Sequence, residues 1–143
     1  MDCVDLKNCG KSKWCGKTTD LNENIWIFGD LRHFNGDVWI VNDTQKAKVE
    51  PDSVGWYIGK QDKDGQDIYT GDLVEIEQTV RVGDTTHTVN QTYRVTYSDE
   101  MACVVVDMGA EGFVPLYRAL MPGDVSIMVI GKVFEEEQFD ELR

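Results

Sequence analysis

The chain has 143 residues, 26 of them acidic and 14 basic for a net charge of −12, with 41% hydrophobic and 28% charged residues. A chain of this length buries roughly 70% of its unfolded surface in one core and needs no covalent staple. The acidic field opposes phosphate backbones, which are held by Lys and Arg, so direct nucleic-acid binding is not expected. No apolar run approaches the roughly 18 residues of a membrane helix, and Met1-Asp2-Cys3-Val4-Asp5-Leu6-Lys7 lacks the basic start and apolar core of a secretory signal. The cytoplasm is therefore the expected location.

Residues 1–12 read as an irregular leader. Cys3, Cys9 and Cys15 fall at six-residue intervals, while Cys103 sits beside Val104, Val105 and Val106 as a small core residue. Without a Cys-x-x-Cys pair, reduced thiols and a metal site both stay open for the first three, and no metal ligand is assigned. Residues 13–50 form an N-terminal β-hairpin region. Its centre is Ile25–Phe34, the turn Asn35-Gly36-Asp37, and Val38–Val41, because Asn-Gly between aromatic and β-branched runs favours a tight reversal. Residues 42–54 are a polar connector in which Pro51, Asp52 and Ser53 suit a short helical turn.

Residues 55–76 organise the chain. Asp62-Lys63-Asp64-Gly65 supplies side chains that bond their own backbone and a glycine able to take positive φ, which marks a hairpin tip. A calcium loop does not fit, since placing Gly65 at the sixth position puts Lys60 at the first and Gly71 at the twelfth. Gly29-Asp30 and Gly71-Asp72 each open a strand segment. Their aspartates suit either catalytic carboxylates or side chains that bond backbone N–H groups where a strand begins or bulges. The runs 73–82 and 88–97 pair as a long arm with residues 83–87, including His87, at its tip. Residues 98–101 turn the chain and Ala102–Asp107 is a buried strand. Gly109–Gly112 loosens it, Phe113–Tyr117 returns as an edge segment because of Pro115, and Ile127–Phe134 closes the fold. Residues 135–143 are an acidic tail.

Taken together, Gly55-x-Tyr57-x-Gly59-x-x-Asp62-Lys63-x-Gly65-x-x-Ile68-Tyr69-x-Gly71-Asp72-Leu73-Val74 resembles the signature of the YopX-like proteins of bacteriophages and prophages. Lys13-Trp14-Cys15-Gly16-Lys17 is similar to that family's opening segment, Trp26–Leu31 to its Trp-x-x-Gly-Asp-Leu, and Val129–Glu135 to its closing strand. Cys15 stands where the family usually has a basic residue, Trp56 where it has glutamine, Ile58 threonine and Lys60 leucine. The residue pattern alone, short strands with turn signals about every ten residues, predicts an all-β fold closed as a small barrel. The resemblance adds the expectation of an SH3-like small β-barrel over residues 51–134, with the N-terminal hairpin region packed against it. The family has no established biochemical activity.

Three classes of function follow. An enzyme needs convergent polar groups, yet the sequence holds no metal, nucleotide or nucleophile motif, and neither His33 nor His87 has a nucleophile placed beside it; no catalytic or cofactor-binding residue is assigned. A non-enzymatic module would hold a protein partner or its own copies through Trp56, Tyr57, Lys60, Tyr69 and His87 with the arm at 78–93, although the aromatic residues equally suit core packing. The alternative is an acidic nucleic-acid mimic that occupies the basic groove of a host or phage nucleic-acid-processing enzyme.

Overall fold

The computed structural model describes residues 13–20, 25–121 and 124–135. The leader with Cys3 and Cys9, and the tail from residue 136, lie outside the described residues. Two compact units are present, Met1–Tyr57 and Ile58–Arg143.

In the first unit, β1 (Trp14–Lys17), β2 (Trp26–Phe34), β3 (Asp37–Val41) and β4 (Lys46–Lys48) pair antiparallel in the order β4-β3-β2-β1, and Gly55 and Trp56 of β5 (Gly55–Gln61) pair with Cys15 and Trp14. Asn35 and Gly36 both take positive φ, 51° and 82°, as the expected two-residue reversal requires. Gly29 has a different reason. A Cβ there would lie 2.3 Å from the Val41 carbonyl oxygen, so only glycine lets β3 approach β2 in this register. Ile27, Ile40 and Val49 form the core, with Trp14, Leu31 and Val38 packed against them. Pro51–Ser53 is the expected short turn of 3₁₀ helix, and the Ser53 hydroxyl accepts the Lys17 N–H at 2.7 Å while donating to the Glu50 carbonyl. The connector also contains β4, which sequence reading missed: Ala47 faces inward between two lysines, a pattern suited to an edge strand.

The second unit contains the remainder of β5 with β6 (Asp67–Tyr69), and then β7 (Asp72–Val82), β8 (Thr85–Ser98), β9 (Cys103–Asp107), β10 (Phe113–Pro115) and β11 (Val125–Lys132). These last five form an antiparallel sheet in the order β10-β9-β8-β7-β11. Its core is built from Ile68, Val74, Ile76, Val95, Val106, Leu116 and Ile127. Period-two alternation explains the choice: Val74 and Ile76 point inward while Leu73, Glu75 and Glu77 are only half-buried.

The all-β class holds, with the described strands in two antiparallel sheets. Closure of the ladder into a barrel does not. Among the described residues β10 does not pair with β11: β10 is three residues long and ends at Pro115, which has no N–H to continue a ladder, and the outer edge of β11 is met by the β5–β6 turn, through the Lys63 N–H on the Ile127 carbonyl and Asp62 on the Val129 N–H. Two further details differ from expectation. The arm turns over Gly83-Asp84 alone, since Val82 pairs with Thr85 and His87 pairs with Val80 inside the ladder. Leu116–Ala119 forms one helical turn after β10 rather than continuing the edge segment.

Candidate interaction surface

Two aspartates fix the frame of the second unit. Asp62, at the β5–β6 turn, accepts the N–H groups of Asp64 and Gln66 on one oxygen, both at 2.9 Å, and that of Val129 in β11 on the other at 3.0 Å. Burial raises its pKa, but the three donors outweigh that and the net displacement is below the ordinary value. Gly65 takes φ 84° to close the turn. Asp72 is 1% exposed; it accepts the Tyr69 N–H at 2.8 Å and meets the Lys132 ammonium at 2.5 Å, and that ammonium lies 5.0 Å from the centre of the Tyr69 ring. Burial holds Asp72 above the ordinary carboxylate value against the pull of Lys132 and the Tyr69 N–H. Asp72 therefore bonds backbone where its strand begins, the non-catalytic alternative read from Gly-Asp. Asp30 is exposed, with the Arg32 guanidinium at 4.0 Å.

On this frame stands the β7–β8 arm. β11 accompanies β7 only from Asp72 to Gln78, and β9 accompanies β8 only from Arg94 to Ser98. Beyond these points, residues 80–82 have only β8 as a ladder partner and residues 85–93 only β7. At the root the Arg94 guanidinium bonds Asp107 at 2.8 Å; this and the Gly109 N–H hold the Asp107 carboxyl below its usual range. One face of the arm continues the inward face of Val74 and Ile76, and it carries Val80, Val82 and Val89 into solvent. The other face carries Thr79, Arg81, Thr86, Thr88, Asn90 and Thr92. From Thr85 to Tyr93 there is no Asp, Glu, Lys or Arg.

The expected site residues are divided between the two units. Trp56 and Tyr57 are half-buried at the end of the first unit, and Lys60 is exposed on β5. Tyr69 is buried beneath Lys132, so the packing alternative applies to it. His87 is exposed on the arm. Lys60 borders a pocket of about 420 Å³ whose lining includes Ile58, Cys103, Val104, Leu116 and Tyr117. Cys103, expected in the core, is half-buried there because Val104 and Val106 take the core-facing positions of β9 and Cys103 lies on the opposite face. The pocket is mainly apolar with one ammonium at its border, which offers shelter to an apolar group but pairs no nucleophile with a base.

Cys15 is buried within β1. Among the described residues no group of three or more His, Cys, Asp or Glu is arranged to hold a metal ion, and no helix is long and apolar enough to cross a membrane. The existence of the arm was signalled by alternation in the sequence, but its register, set by the two-residue turn, was not; the Asp62–Val129 and Asp72–Lys132 contacts had no local signal.

No curated protein and no solved structure matches the chain. A family model described as YopX protein matches residues 12–139. That span includes both units' cores, the Asp62 turn and the whole arm, and the chain belongs to the YopX protein family.

Proposed function

We propose that this chain is a non-enzymatic protein-interaction or self-assembly module, acting in the cytoplasm of a phage- or prophage-bearing host, with the β7–β8 arm as its working surface. The observation that carries this reading is the arm itself: a two-stranded ribbon extended past its neighbours, with Val80, Val82 and Val89 left in water. A ribbon of this kind gains little stability alone, and exposed valines on a sheet face become favourable once a partner covers them. The finer fold reading goes with it. Placing the last strand, β11, beside the first, β7, with one helical turn before it, is how a five-strand meander begins to curl toward an SH3-like barrel, and we retain that class for the second unit.

The test compares the full chain with a variant lacking 79–82 and 85–88, which joins Gln78 and Val89 through the same Gly83-Asp84 turn. These two residues already face each other, so the shortened hairpin keeps a legal register. Each is used as bait in lysate of the bacterial host at low salt and at roughly 0.5 M salt, where surface electrostatics are largely screened. Capture that persists at high salt and disappears with the arm is the expected result. Capture of a basic nucleic-acid enzyme that is independent of the arm and released by salt would replace this reading with acidic mimicry.

A further inference from the structure

The outer edge of β8 from Thr86 to Thr92 has no ladder partner among the described residues. The Gly71 N–H donates to the Val95 carbonyl, which places the backbone groups of odd-numbered β8 residues toward β7. Even-numbered residues point the other way. At Arg94, Thr96 and Ser98 they meet β9, but at Thr86, Thr88, Asn90 and Thr92 no strand follows. Proteins usually guard such an edge with lysine, proline, a bulge or a very short strand. None of these devices occurs here, in a chain that is otherwise 28% charged.

Resting on the interaction-module reading, we infer that this edge pairs with the same edge of a second copy, antiparallel about a two-fold axis at Val89. The register follows from the backbone. With the axis at residue 89, Thr86 faces Thr92 and Thr88 faces Asn90 of the other copy, so every outward N–H and C=O meets an outward partner. Length agrees as well, because the outward groups run from Thr86 to Thr92 and the copy brings the same seven residues. On the apolar face Val89 meets Val89 of the other copy, His87 meets Gln91, and Thr85 meets Tyr93.

Charge makes this edge the place where two copies can meet. Two bodies of net charge −12 repel, and the contact that brings them together at least cost is one without carboxylates, which is what residues 85–93 provide. A single strand pairing is small for an interface, so the dimer is concentration-dependent rather than permanent.

Sedimentation equilibrium of the full chain from about 1 to 100 µM tests this, a range that brackets micromolar association. The expected result is a monomer mass that rises to a dimer mass. Thr88→Pro removes one outward N–H without touching the β7 ladder and is expected to weaken the dimer at least about tenfold. Arg81→Pro, the same change on the outward edge of β7, leaves it intact. Circular dichroism checks that each variant is folded, and should Thr88→Pro unfold, Val89→Lys decides by placing two ammonium groups across the axis. A monomer at every concentration, or a dimer indifferent to the β8 substitutions, overturns self-pairing. A monomer that still captures another protein through the arm overturns self-pairing and leaves the interaction module standing, whereas loss of arm-dependent capture as well removes both.

Discussion

Asp62 and Asp72 sit ten residues apart and titrate in opposite senses. Asp62 is held below its ordinary value, so its contribution to stability is complete above the unfolded value and is lost as pH falls through the folded one, that is, below about pH 4. Asp62→Asn is expected to flatten the acid limb of the stability curve, measured by urea denaturation from about pH 2 to 6. Asp72 is held above its ordinary value. Stability linked to its protonation is therefore present at low pH and declines as pH rises from about 4 through the folded value. Its removal has a second effect, because Asp72→Ala leaves the Lys132 ammonium without its carboxylate. Lys132 keeps 16% exposure of its side chain, which puts the expected loss near the low end for a broken buried pair, about 3 kcal/mol in the urea midpoint analysis. At this scale the sequence was half legible. The turn around Asp62 was readable from Asp-Lys-Asp-Gly, whereas its bond to Val129 spans 67 residues and leaves no local trace. Surface and core were both open for Tyr69, because two adjacent buried residues, Ile68 and Tyr69, break the alternation a strand normally shows.

Elements were legible where turn chemistry was strong. Asn35-Gly36 and Gly65 behaved as read, and the glycines of the two Gly-Asp pairs serve different ends: Gly71 takes φ 91°, while Gly29 makes room for a neighbouring carbonyl. Gly29→Ala is accordingly expected to destabilise the first unit by about 3 kcal/mol, the upper range for overpacking, since the contacting atom is backbone and cannot rotate away. Loss of amide protection at Leu31–Phe34 and Asp37–Val41 in hydrogen exchange checks that the β2–β3 register is what fails. Elements were missed where they were short or compositionally ambiguous. One helical turn at Leu116–Ala119 is too brief to show a period of 3.6, and Lys46–Lys48 has one apolar residue. Thr85, Thr86 and His87 were read as loop because they are polar, yet threonine favours extended backbone, and the ladder runs through all three.

For the molecule as a whole, charge was the clearest number in the sequence and bears on stability as well as partners. With 26 acidic against 14 basic residues, screening relieves self-repulsion in the folded state, and raising NaCl from about 0.05 to 0.5 M is expected to stabilise the chain by about 1 kcal/mol in urea titrations. Fold class was legible because short alternating runs admit few architectures; openness of the ladder was not, since it depends on which distant edges meet. The proposed interaction surface was legible as an arm but not as an edge, because an outward N–H without a ladder partner is a property of the neighbour that fails to arrive. The pairing of β7 with β11 carries a consequence for how the protein is made. The ribosome delivers β7 some fifty residues before β11, so during synthesis the Leu73–Gln78 edge waits unpaired and Asp62 and Asp72 lack Val129 and Lys132. The nascent chain is then a sheet with a missing member, open to chaperones or to premature association, and its second unit matures only after residue 132 has emerged. Chains ended at residue 121 are expected to lose slow-exchanging amides in β7, and retention of that protection would show that the last strand joins a sheet already formed.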